Sequence, residues 1–102
     1  MPSWGMADKP DANQGQIVKD LRALGWLVLI AKRPVDLWVV SPDEEYAFWV
    51  EVKTGAAESL TDLEQKFFDQ FPERFRIVAY TAQDVINHRD KLWREKSECP
   101  VM

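Results

Sequence analysis

A single cysteine, Cys99, in the polar C-terminal stretch excludes an internal disulfide framework and a cysteine zinc cage. The one histidine, His88, falls in a predicted helix and reads as a surface or core histidine rather than a metal ligand. No run approaches the ~20 consecutive apolar residues of a membrane span. Met1-Pro2-Ser3-Trp4 lacks the basic-then-apolar layout of a signal peptide, so a cytoplasmic protein is expected. Basic excess is also lacking. Seventeen acidic against 13 basic residues give a net charge of −4, which counts against a protein that coats nucleic acid by bulk electrostatics.

What is present in abundance is apolar residue, 46% of the 102, enough for one packed domain but a small one. Residues 1–13 are polar, Pro- and Gly-containing and aperiodic, and read as a flexible arm; 14–96 read as the domain and 97–102 as a tail. Ile17, Val18, Leu21 and Leu24 fall at helical spacing, which predicts a helix over 14–24 stopped by Gly25. Residues 26–31 read as a buried strand. Residues 36–40 and 46–53, rich in β-formers and separated by Ser41-Pro42-Asp43-Glu44-Glu45, predict a β-hairpin.

Thr61 and Glu64 form a capping box opening a helix with Leu60, Leu63, Phe67, Phe68 and Phe71 as a core stripe, ended by Pro72. A strand over 76–80 follows. The helix between it and the hairpin favours a parallel crossover. Thr81 and Asp84 open a final helix through Val85, Ile86, Leu92 and Trp93.

The hairpin carries the chemistry. With the turn centred near Asp43, Val40 lies opposite Ala47, Trp38 opposite Trp49 and Asp36 opposite Glu51, and Lys53 shares the face of Glu51. Leu37, Val39, Phe48, Val50 and Val52 form the other face, so both faces are apolar apart from the charged cluster and cover on both sides is expected. Two facing carboxylates repel by roughly 0.2–1 kcal/mol, and more where water is excluded. Removing either is expected to leave the fold intact or slightly more stable.

A divalent cation resolves the conflict, and Mg²⁺ is commonly held by one or two carboxylates plus waters and phosphates. Lys53 would then orient the attacking water. The plainer alternative is a Glu51–Lys53 salt bridge at a strand end, with Asp36 capping the turn after Pro34. Lys32 and Arg33, just before the cluster, are candidates for phosphate contact. Lys19, Arg22, Lys66, Arg74 and Arg76 read as solvated basic groups.

The order α-β-β-β-α-β-α, with Asp in one hairpin strand and Glu-x-Lys in the next, resembles the core of the PD-(D/E)XK nucleases, the restriction-endonuclease-like fold. The stretches 35–40, 49–55 and 59–68 look most like the VRR-NUC family, and the resemblance covers roughly residues 14 to 86. It implies an α/β fold with a mixed sheet flanked by helices, plus a C-terminal helix. It also implies Mg²⁺- or Mn²⁺-dependent endonuclease action on DNA, branched or structured DNA such as four-way junctions above all, by a homodimer.

By the same resemblance Asp36 and Glu51 are metal ligands, the Val52 carbonyl a third, Lys53 the catalytic lysine, and Gln65 the glutamine beside the site. Gln14 falls where many relatives carry a first-helix glutamate, and its neutral amide is a poorer magnesium ligand. The competing expectation is a nuclease-fold module without activity that binds nucleic acid or protein, favoured by Gln14 and the acidic pI near 4.9.

Overall fold

The computed structural model describes residues 12–33, 35–54 and 60–98. The elements in chain order are α1 (Ala12–Ala23), β1 (Leu27–Ile30), β2 (Leu37–Val40), β3 (Ala47–Val52), α2 (Asp62–Phe68), a 3₁₀ turn (Glu73–Phe75), β4 (Arg76–Ala79) and α3 (Ala82–Glu98). The strands form one mixed sheet in the order β1-β2-β3-β4. β1, β2 and β3 run antiparallel in turn, and β4 joins β3 in parallel, as the intervening helix predicts.

Local sequence chemistry sets the ends of these elements. α1 stops at Gly25, whose φ of +94° suits a residue without a Cβ. Its N–H bonds the Arg22 carbonyl and that of Trp26 bonds Leu21, the paired bonds of a Schellman motif. The β2–β3 turn is held by Ser41 and Asp43. The Ser41 hydroxyl donates to the Asp43 carboxylate, which also accepts from the Glu45 N–H at 3.1 Å. Ser41 N–H to Tyr46 carbonyl closes the hairpin at 2.8 Å.

The hairpin register follows: Val40 faces Ala47, Trp38 faces Trp49 and Leu37 faces Val50. At α2, Thr61 Oγ1 accepts the Glu64 N–H while the Glu64 carboxylate accepts the Thr61 N–H, the reciprocal capping box. Thr81 and Asp84 repeat the arrangement at α3.

One face of the sheet holds the core. Val28, Leu37, Val39, Phe48, Val50, Val52 and Ala79 pack with Ile17, Val18 and Leu21 of α1 and Val85 of α3. His88 belongs here too. Its ring meets Phe48 edge-on at 4.5 Å between centroids, its Nε2 lies 3.0 Å from the Arg74 carbonyl, and burial pushes its pKa down.

The hairpin strands β2 and β3 are central, as expected, but the opposite face is covered unevenly, which corrects the expectation of a buried strand over 26–31. Over β3, Phe67 and Phe71 pack on Trp49 at centroid distances of 5.2 and 6.4 Å. Toward β1, an edge strand, Leu27 and Leu29 are 66% and 58% exposed. Leu63 and Trp93, assigned to apolar stripes, are exposed as well. α2 ends at Phe68, three residues before Phe71. Boundaries shift elsewhere: α1 starts at Ala12 inside the expected arm, and α3 runs through Glu98 into the expected tail. The rest of arm and tail, Pro34, and residues 55–59 of the expected loop lie outside the described residues.

Candidate active site

Continuing the β2–β3 ladder one residue past Leu37 and Val50 sets Asp36 against Glu51. The local reason is a change of partner at the end of β2. The Asp36 carbonyl accepts from the Ala31 and Lys32 N–H groups, and its Oδ2 accepts the Val52 N–H at 2.8 Å. The Asp36 carboxylate thus takes over a backbone donor of β3 where the β2 ladder ends.

Glu51 is 4% exposed on the face shared with Trp49. Lys53, two residues on, lies with Nζ 3.4 Å from Glu51 Oε2 and 3.2 Å from Glu64 Oε1. The salt bridge expected as the plainer alternative is therefore present. Among the described residues no group donates a hydrogen bond to the buried Glu51 Oε1.

The electrostatics follow from burial and crowding. Desolvation first, then the neighbouring Glu64 carboxyl and the Asp36 charge, push the Glu51 carboxyl up to about 8. Burial also disfavours the Lys53 ammonium, but the hydrogen bond it donates to Glu64 and the Glu51 and Glu64 charges outweigh it, and its pKa rises. Glu64 is held below the usual carboxylate range: desolvation opposes ionisation, and the Thr61 N–H, the Glu51 carboxyl and Lys53 overcome it.

Glu64 is the residue that sequence reasoning missed. Its capping role was legible in Thr-x-x-Glu, whereas its approach to Lys53 and Glu51, 11 and 13 positions back, is tertiary. A second missed residue is Asn13, whose Nδ2 donates to the carbonyls of Lys53 at 2.9 Å and Tyr80 at 2.7 Å. It ties the first turn of α1 to the ends of β3 and β4, directly behind the catalytic candidate.

No protein-family model, no curated protein and no solved structure matches this chain.

The other candidates are spread around this cluster. Gln65 donates to Asp69 at 2.8 Å on the exposed side of α2 and takes no part in the Glu51–Lys53–Glu64 bonding. Gln14, next to Asn13 on α1, lines a shallow depression with Lys19, Arg22 and Ile30. Lys32, with φ of +71°, and Arg33 are exposed at the turn leading to Asp36. Arg22 and Arg76 are tied to the backbone, to Val28 and Phe71 respectively.

Among the described residues no group of three or more His, Cys, Asp or Glu side chains stands in a metal-holding array. Asp36 and Glu51 with a backbone carbonyl is a smaller set of the kind Mg²⁺ accepts. The orphaned Glu51 Oε1 is the observation that fits a cation there. It is a buried carboxyl oxygen to which no group among the described residues donates, and a cation there would take the place of the proton that the raised pKa keeps on Glu51.

Proposed function

We propose that this chain is a metal-dependent DNA endonuclease of the restriction-endonuclease-like, PD-(D/E)XK type, most similar to the VRR-NUC family. The single observation that carries it is Glu51: a carboxyl group buried at the end of a central strand, facing Asp36, crowded by the Glu64 carboxyl, paired on one oxygen by Lys53 and, among the described residues, offered no donor on the other. The α-β-β-β-α-β-α order and the mixed sheet with β3 and β4 parallel support it.

Asp36, Glu51 and the Val52 carbonyl would hold Mg²⁺ or Mn²⁺. When bound, the cation supplies an acidified water and neutralises charge on the phosphate. Lys53, kept as an ammonium by two carboxylates, acts as a donor and not as a base. It orients the attacking water and supports the negative charge that grows on the phosphate oxygens. The water gives up a proton to solvent as its oxygen bonds to phosphorus, one ester P–O bond breaks, and the leaving oxygen takes a proton from solvent. Gln65, once released from Asp69, would reach toward water or phosphate. Lys32 and Arg33 would grip the DNA backbone, which makes binding weaken with salt.

The test is incubation with labelled linear, flapped and four-way DNA, with Mg²⁺, with Mn²⁺ and with chelator. Cleavage of branched substrates in either metal and none in chelator is expected. Tight binding without cleavage in any metal would favour the inert module, the second reading, to which the neutral Gln14 points.

A homodimer is part of the proposal, and the exposed apolar side chains that favour it are Leu27 and Leu29 of edge strand β1, on the sheet face away from the core, and Trp93 on α3. Leu92, by contrast, packs against the core. Sedimentation at micromolar concentration is expected to give twice the 11.9 kDa chain mass. A monomer mass unchanged by junction DNA and Mg²⁺ would remove the dimer and paired incision with it.

A further inference from the structure

We infer that Glu64 is the positioning residue of Lys53, holding its ammonium in place when a cation occupies Asp36 and Glu51. This rests on the nuclease reading of the cluster and extends it to a residue outside the Asp, Glu-x-Lys pattern.

Lys53 has two carboxylate partners, Glu51 at 3.4 Å and Glu64 at 3.2 Å. A cation on Glu51 withdraws the first and repels the ammonium. The lysine stem has four rotatable bonds and an entropic preference for dispersal, so a single remaining anchor decides whether the ammonium stays beside the reacting phosphate. Glu64 suits that role because its own carboxylate is fixed. Oε1 accepts the Thr61 N–H at 2.9 Å as well as Lys53 Nζ, and the Glu64 backbone sits in the first turn of α2 with its N–H on Thr61 Oγ1. Both side chains of the pair are largely shielded, 13% and 17% exposed, so solvent screens their attraction less than at an open surface. The capping box therefore has two effects. It starts α2, and it aims a carboxylate at Lys53.

The experiment compares Glu64→Gln with Thr61→Ala in the full chain. Glu64→Gln keeps an oxygen that accepts the Thr61 N–H but removes the charge. Thr61→Ala removes the side-chain cap but keeps the backbone N–H that holds Glu64. Lys53 order is read from its ammonium signal in ¹⁵N-lysine NMR with saturating Mg²⁺, and cleavage of a four-way junction supplies kcat and KM.

In the wild type and Thr61→Ala, a Lys53 signal protected from water exchange is expected in Mg²⁺. In Glu64→Gln it broadens into the free-lysine signals, and kcat falls about tenfold to a hundredfold, a range usual for groups that orient an active-site residue, with KM little changed. Equal Lys53 signals in the two variants would overturn the inference and leave Glu64 a helix cap only. Absence of cleavage by the wild type would sink the nuclease reading, while the NMR comparison would still decide whether Glu64 holds Lys53.

Discussion

Replacing Glu51 with Gln is expected to lower DNA cleavage by about a hundredfold or more and, without metal, to make the protein more stable at pH 8 than the wild type. The second effect follows from the buried carboxyl. Its pKa stands near 4.5 in the unfolded chain and about 8 in the fold. Between those values the folded state keeps a proton that the unfolded state has lost, so stability falls as pH rises. Stability from Glu51 is fully present below about pH 4.5, and its loss is complete above about pH 8. For a group 4% exposed this amounts to something on the order of a few kcal/mol.

Glu64, with its pKa lowered, acts below that window and weakens the fold only as pH drops through the acid range. The metal-free wild type should thus be most stable near pH 4–5, on the order of the unfolded glutamate value. Glu51→Gln should show no decline from pH 5 to 8. Added Mg²⁺ should restore the wild type at pH 8 by binding linkage and leave the variant unmoved. Thermal melts across pH, with chelator and with Mg²⁺, check all three. A wild type whose melting point rises steadily from pH 5 to 8 in chelator would contradict the assignment of Glu51 as the strained carboxylate.

Asp36→Ala should behave differently, although repulsion between facing carboxylates alone would give both substitutions the same sign. Relief of that repulsion is worth roughly 0.2–1 kcal/mol. The lost acceptor leaves the Val52 N–H without Asp36 Oδ2 at 2.8 Å, and an unsatisfied buried donor costs about 1–3 kcal/mol. The second effect wins. Asp36→Ala should melt about 5 °C or more below the wild type in chelator and lose cleavage. Asp36→Asn, whose amide oxygen still accepts the N–H, should keep its melting point and lose cleavage nonetheless. An Asp36→Ala protein that melts with the wild type would show that Val52 is satisfied some other way.

The contrast between these two acids marks where sequence is legible. The hairpin register was readable because Ser41-Pro42-Asp43-Glu44-Glu45 is local turn chemistry and period-two alternation carries it outward to Asp36 and Glu51. Gly25, the two capping boxes and the parallel β4 were readable for similar reasons: each is fixed by residues within a few positions or by the reach of a connection. The apolar run of β1 was not. Leu27-Val28-Leu29-Ile30 looks the same whether both faces are covered or one is open, and only the neighbours packed on it decide.

Glu64 shows the same limit at the site. Its capping bond spans three residues, and its ion pair with Lys53 spans 11, so one role is written in the local sequence and the other in the fold. Asn13 was hidden because its section of chain reads as polar and aperiodic, although its hydrogen bonds reach 40 and 67 residues along the chain.

The most direct test of the central claim is single-turnover cleavage of a labelled four-way junction by the wild type, Glu51→Gln and Lys53→Met, prepared identically, in Mg²⁺ and in chelator. Cleavage by the wild type in Mg²⁺ alone, with both variants folded and inactive, is the predicted result. Equal cleavage by all three proteins, or cleavage that survives the chelator, would contradict it.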